Sequence, residues 1–338
     1  MCTSLSFTSP VALFGRNLDL DVPFGEQVVV TPRNFPFAFH QVPSMPSHFA
    51  MIGMACVTEG VPLYAEAVNE KGVYIAGLNF PQNAYYAPLA PSEKTALAPY
   101  ELIPFLLGQC ESLAQARSLL EDISLVAIPF SAGYPLAPLH WHIADQTGSI
   151  TVESMKDGLN IYENPAGVLT NNPPFPFQMM NLNNYMHLRT SAPVNHFSSS
   201  VPLRTYGQGM GAMGLPGDFS PMSRFVKAAF LKCNSVFGKD EFSTVTQFFH
   251  ILDAVAMVRG SVVTDENRTD ITRYSCCIDA KSGVYYYKTY ENSCIHAVSL
   301  FHEALDSDML RLFPLSERQQ ILFENVPSGE KKEGVLNG

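Results

Sequence analysis

The chain has 338 residues, of which only 15% are charged, and a formal net charge of −10 at neutral pH. An acidic chain without a basic patch is a poor partner for nucleic acid or an anionic membrane, and no apolar run approaches the length of a bilayer span. Seven cysteines, an odd number without CxxC spacing, imply reduced thiols in the cytoplasm rather than a disulfide framework, and no metal or other cofactor is expected.

The opening Met1-Cys-Thr-Ser-Leu-Ser-Phe7 alternates in polarity. As a strand it sets Cys2, Ser4 and Ser6 on one face and Thr3, Leu5 and Phe7 on the other. Loss of the initiator methionine, which a small second residue permits, would leave Cys2 carrying both a thiol and a free α-amine. Their reference pKa values, about 8.5 and about 8, are matched near neutral pH. The amine can take the thiol proton and return it to a leaving group, so no separate histidine base is needed. No secretion leader is expected ahead of Cys2, since an uncut one would block that amine. Ser9-Pro10 gives a turn signal and Val11–Asp19 reads as a second strand. The hairpin returns Arg16 and Asp19 to the thiol. Arg16 can then favour the thiolate and Asp19 can accept from the ammonium, although a structural Arg–Asp pair is the alternative use.

Gln27–Thr31 is predicted as a strand. The proline-rich stretch from Pro32 to Pro46, with Phe35, Phe37, Phe39 and His40, reads as core cover or a subunit contact. Val61–Val68 and Val73–Asn79 form a hairpin around Asn69-Glu-Lys-Gly72. At its end the Asn79 amide could serve an oxyanion or simply a turn. Helical spacing runs over Leu97–Gly108 and Leu113–Ile123, predicting a packed helix pair.

Strands resume at Leu139–Asp145, Ser149–Ser154 and Leu159–Asn164. His140 and His142 share a face there, but with no Glu or Cys at ligand spacing they read as structural. In Val168-Leu-Thr-Asn171-Asn172, either asparagine can face the site, because a shift of one residue changes face. A helix is predicted over Phe175–Leu188. The glycine-rich loop Tyr206–Gly217 lacks the Lys-Ser/Thr that a phosphate cradle requires.

Ser220 caps a helix from Pro221 to about Asn234. Arg224 lies in its first turns, a poor place for a cation unless it has another task. Asp240–Met257 is a further helix, and Thr272–Asp279 with Gly283–Tyr290 a last hairpin holding the vicinal Cys276 and Cys277 as packing residues. Strands and helix pairs thus come in blocks, which opposes a doubly wound sheet and favours two antiparallel sheets with helices outside. Residues 2–325 are read as one domain and 326–338 as a charged, mobile tail.

The segments MCTSLSF, FGRNLDL, VVVTPRNFPF, NEKGVYIAGLNFP, LAPYELIPFLLGQC, PLHWHIAD, VLTNNPPFPFQ, LPGDFSPMSRF and GVYYYKTYEN, in order along nearly the whole chain, resemble the choloylglycine hydrolase family. That family comprises bile salt hydrolases and penicillin V acylases, within the N-terminal nucleophile hydrolases. GLNFP favours the bile salt branch, because it puts Asn79 where penicillin acylases tend to carry an aromatic residue. The resemblance implies an α+β fold, the four-layer αββα sandwich, with Cys2 opening a central strand. It implies hydrolysis of the amide joining a bile acid to glycine or taurine, and a homotetramer. The implied catalytic residues are Cys2, Arg16, Asp19, Asn79, Asn171 (with Asn172 in reserve) and Arg224, with Asn79, Asn171 and the backbone flanking Cys2 holding the oxyanion and Arg224 orienting the site. Leu18, Leu20 and Phe24 would line an apolar mouth for the steroid. Gly207-Gln208-Gly209 resembles the loop of glycine-preferring members. The alternatives are a penicillin V or N-acyl-homoserine-lactone acylase and a non-catalytic scaffold of the same fold.

Overall fold

Two antiparallel sheets stack face to face, each backed by helices, in a computed structural model that describes residues 1–8 and 11–325. In chain order the elements begin with β1 (Cys2–Phe7), β2 (Leu13–Leu20), β3 (Glu26–Thr31), β4 (Met51–Thr58), β5 (Val61–Asn69) and β6 (Tyr74–Asn79). The short strands β7 (Thr95–Leu97) and β8 (Ile123–Leu125) bracket the helices α1 (Leu102–Gln109) and α2 (Leu113–Glu121). Next come β9 (Leu139–Asp145), β10 (Gly148–Met155), β11 (Gly158–Glu163) and β12 (Val168–Leu169). Then follow α3 (Phe175–Leu182), α4 (Pro221–Cys233), α5 (Glu241–Asp253), β13 (Ile271–Asp279), β14 (Val284–Thr289), β15 (His296–Ser299) and β16 (Arg311–Pro314).

The six-stranded sheet runs β12-β1-β2-β13-β14-β15 and the eight-stranded sheet β11-β10-β9-β6-β5-β4-β3-β16. One apolar core fills the space between the sheets and continues under α4 and α5, through Leu5, Phe14, Phe225 and Phe248. A second core joins the outer face of the eight-stranded sheet to α1 and α2, through Val29, Ile75, Leu106 and Leu120. Every inner strand is therefore covered on both sides, which is the four-layer αββα arrangement.

That double cover explains where sequence pattern and structure part. Met51–Thr58 shows no alternation because β4 is buried on both faces over its first six residues. The helix expected from Leu97 starts only at Leu102. Thr95–Leu97 pairs in parallel with Ile123–Leu125, which also takes Ile123 out of the second helix, and Pro99 opens a single 3₁₀ turn. The helix expected to reach Leu188 stops at Leu182 and tightens into a 3₁₀ turn at Asn183–Tyr185, where repeated asparagines are weak helix formers. The helix expected over Asp240–Met257 runs only from Glu241 to Asp253, with Asp240 as its N-cap. In the proline-rich stretch Phe37 is buried in the second core, so this segment is core cover. Ser9, Pro10 and the 326–338 tail lie outside the described residues.

Candidate active site

β1 pairs with β2 in antiparallel register, Cys2 opposite Leu18 and Ser4 opposite Arg16. Directly opposed residues share a face, so Cys2, Ser4, Ser6, Arg16 and Leu18 all look toward the eight-stranded sheet. The contacts agree. Ser4 Oγ lies 2.9 Å from His142 Nδ1 and 3.3 Å from Tyr74 Oη, and Ser6 Oγ lies 3.3 Å from His142 Nε2. Arg16 crosses the same interface, donating from Nη1 to Gly77 O at 2.6 Å and Ala65 O at 3.3 Å. Burial by itself would weaken the hold of this guanidinium on its proton. The neighbouring Cys2, Tyr274, Glu66 and Tyr74 outweigh burial and raise its pKa.

Asp19 has the opposite parity and faces the helices. It accepts from Thr272 Oγ1 at 2.6 Å, while its second oxygen, Oδ2, is buried without a hydrogen-bond partner among the described residues. Burial pushes the carboxyl above its ordinary pKa, against the opposing pull of Arg224 and the N-terminal ammonium. Arg16 and Asp19 thus flank Cys2 from opposite sides of one sheet. Sequence proximity suggested a single cluster; strand parity separates a thiol side from an amine side.

Arg224 solves the puzzle of a cation in the first turns of a helix. Ser220 accepts from Ser223 N at 3.3 Å as the N-cap, and α4 then aims Arg224 at the nucleophile strand. Its Nη1 donates to Cys2 O and to Thr3 Oγ1 at 2.7 Å, its Nη2 to Asn171 Oδ1 at 2.7 Å, and its Nε to Phe219 O at 3.0 Å. Asp19 Oδ2 lies 4.0 Å from Nη1. Burial lowers this arginine's pKa, and the neighbouring Asp19, Cys2 and Asp270 oppose that effect.

The asparagine question is one of parity. Asn171 accepts from Cys2 N at 2.9 Å and donates from Nδ2 to Asn79 O at 2.6 Å. Asn172 points elsewhere, donating to Pro81 O at 2.6 Å. Asn79 enters this network through its backbone carbonyl, and its side chain is half-buried. Cys2, Arg16, Asp19, Asn79, Asn171 and Arg224 therefore converge on the head of β1. Leu18, directly opposite Cys2, is buried, while Leu20 and Phe24 are partly buried against the inter-sheet core. Gly207, Gln208 and Gly209 are exposed, and no hydrogen bond among the described residues links them to the Cys2 cluster.

Several participants escaped the sequence pattern. Thr3 meets Arg224 and Thr272 meets Asp19, polar threonines unremarkable in any strand. Asp270, at 4% exposure, forms an ion pair with the ammonium of Met1 at 3.4 Å. His140 finds Glu153 at 3.1 Å on the neighbouring strand, a partner that no ligand spacing displays.

Cys2 heads an inner strand of an αββα sandwich, the fold of the N-terminal nucleophile hydrolases, and Asn171 holds its backbone nitrogen. The family model described as linear amide C–N hydrolases, choloylglycine hydrolase family, matches residues 2–313, and the chain belongs to that family. It is 48% identical to a bile salt hydrolase/transferase of Lactiplantibacillus plantarum, over 96% of this chain and 100% of that protein. A crystal structure of a mutant conjugated bile acid hydrolase from Clostridium perfringens superposes with a TM-score of 0.89 at 36% identity, covering 96% of this chain and 100% of that one. Penicillin V acylase from Agrobacterium tumefaciens shares the fold at a TM-score of 0.71 and 18% identity, covering 94% of this chain and 92% of that one.

Proposed function

We propose that this chain, as one domain over residues 2–325, hydrolyses the amide bond of glycine- or taurine-conjugated bile salts from Cys2 as N-terminal nucleophile. The observation that carries the reading is the bond from Cys2 N to Asn171 Oδ1, because it holds the future α-amine beside its own thiol. Once Met1 is removed, the amine takes the thiol proton and the thiolate sulfur attacks the amide carbon. The C–N bond then breaks as the ammonium returns that proton to the departing nitrogen. Water, deprotonated by the freed amine, cleaves the thioester and releases the bile acid.

Within that scheme the roles divide by face. Arg16 stabilises the thiolate side. Asp19, whose Oδ2 lacks a partner among the described residues, supplies an acceptor for the extra protons of the ammonium. The Asn171 carbonyl orients the amine and Arg224 locks that carbonyl and Cys2 O in place. This moves Asn171 from the oxyanion role implied by the resemblance to positioning of the amine. The Asn79 amide is left as the oxyanion donor.

Leu18, Leu20 and Phe24 would meet the apolar steroid. A homotetramer is supported by exposed apolar side chains between α3 and α4: Met186 and Phe197 are each 81% exposed and Tyr206 83%. Cytoplasmic residence is supported by seven free thiols, and the net charge of −10 argues against a nucleic-acid partner. Among the described residues, no helix is long and apolar enough to cross a membrane.

The deciding experiment compares glycocholate, taurocholate and penicillin V as substrates for the wild type and Cys2→Ser, with intact mass to verify loss of Met1. Cys2→Ser is expected to fold normally and lose hydrolysis nearly completely, since a hydroxyl cannot supply the anion that an amine of pKa about 8 draws from a thiol. Near-normal turnover by the serine variant would refute the nucleophile assignment. Preference for penicillin V would move the substrate to the acylase branch.

A further inference from the structure

One buried acid has no part in that mechanism. Glu66 sits on β5 in the eight-stranded sheet with 0% side-chain exposure, and its Oε2 lies 3.6 Å from Nη1 of Arg16, itself 1% exposed. A buried carboxylate is costly unless its oxygens are occupied, and these are. Tyr274 donates to Oε2 at 2.8 Å, Tyr285 to Oε1 at 2.6 Å, and the Cys276 thiol lies 3.6 Å from Oε1. All three donors belong to the six-stranded sheet, so Glu66 ties the two sheets together at Arg16.

The backbone is shaped for this. The pairing of β4 with β5 shifts between Met54, opposite Glu66, and Ala55, opposite Tyr64, which leaves Ala65 as a bulge. Bulges re-aim side chains and free backbone groups. Here the Ala65 carbonyl accepts from Arg16 Nη1 at 3.3 Å, next to the Glu66 carboxylate. A Cβ at Gly53 would come within 2.0 Å of Glu66 O, so β4 can lie this tightly on the bulge only with glycine there. Arg16 in turn stands beside Cys2 on the shared face, two pairs along the ladder.

We propose that Glu66 is a positioning residue for this reaction: from the opposite sheet it fixes the Arg16 guanidinium beside Cys2 and takes up part of its charge. The thiolate then meets a rigid, partly compensated cation. This rests on the reading of Cys2 as nucleophile. The other charges near the thiol are Asp19 and Arg224 on the helix side and Asp270 by the amine. Tyr74 and the buried His142 meet Ser4, next along the thiol face.

The test uses processed, full-length protein. The rate of Cys2 alkylation by iodoacetamide is followed against pH through the mass of the N-terminal peptide. Glu66→Gln keeps the shape and removes the charge, so Arg16 acts uncompensated and the alkylation midpoint should fall by about one pH unit. Turnover should drop about tenfold with KM within about twofold, because Glu66 meets no substrate. Glu66→Asp, which retains the charge, should restore the midpoint. Tyr274→Phe removes a donor from the oxygen that faces Arg16, leaves more negative charge on the guanidinium, and should move the midpoint upward. An unmoved midpoint in folded Glu66→Gln protein, or a downward shift in Tyr274→Phe, overturns the proposal. If Glu66→Gln does not fold, the sign of the Tyr274→Phe shift decides, and an unmoved midpoint there also overturns it. Failure of the nucleophile reading would show separately, as full hydrolysis by Cys2→Ser.

Discussion

Asn171 and its neighbour Asn172 give a matched pair of perturbations differing by one residue of parity. Asn171→Ala strips three groups at once: the Cys2 N–H, an Arg224 N–H and the Asn79 carbonyl, bonded at 2.9, 2.7 and 2.6 Å. Two of these bonds are neutral, about 1 kcal/mol each, and the one to the guanidinium is about 2 kcal/mol, so the variant should lose about 4 kcal/mol of stability. Asn172→Ala loses one bond, to Pro81 O, from a side chain whose Oδ1 has no partner among the described residues, and should lose about 1 kcal/mol. Urea denaturation monitored by tryptophan fluorescence measures the difference, since Trp141 is the sole tryptophan and is buried. Activity should separate the pair further: Asn171→Ala frees the amine from its orientation and should cut turnover at least about a hundredfold. Asn172→Ala should stay within about threefold. Equal losses of stability in the two variants, or near-normal activity in Asn171→Ala, would refute the assignment of Asn171 to the amine.

An uncleavable extension ahead of Cys2 should silence the enzyme by turning its basic amine into an amide; full activity in a preparation of verified mass would place the base elsewhere. His142, held at a pKa of about 3 by burial and by the charges of Lys232 and His140, is neutral in the fold and binds its proton on unfolding below about 6.5. Its contribution to stability is therefore complete above pH 6.5 and is lost as pH falls toward 3, at about 1.4 kcal/mol per pH unit. Urea melts of His142→Gln should show a shallower acid slope than wild type, and identical slopes would contradict this. Gly207-Gln208-Gly209 offers no cation to a sulfonate, so glycocholate should be cleaved more efficiently than taurocholate, with Gln208→Arg narrowing the gap; equal efficiencies in the unmutated enzyme would sink this expectation.

Local chemistry made much of this protein legible from the chain alone. The alternation of Cys2 to Phe7 predicts its two faces correctly, because a strand's side chains have a period of two whatever lies beyond them. Ser220-Pro221 marks the start of α4, because the cap and the fixed proline φ act within one turn. Long-range pairing was beyond its reach. Only the packed sheets decide that Arg16 and Asp19 lie on opposite faces of one sheet, that Asn171 rather than Asn172 meets Cys2, and that Glu66 lies against Arg16 fifty residues away. These depend on register, on a bulge at Ala65 and on which sheet covers which face. A shift of one residue would reverse each of them without changing the composition or hydropathy of any strand.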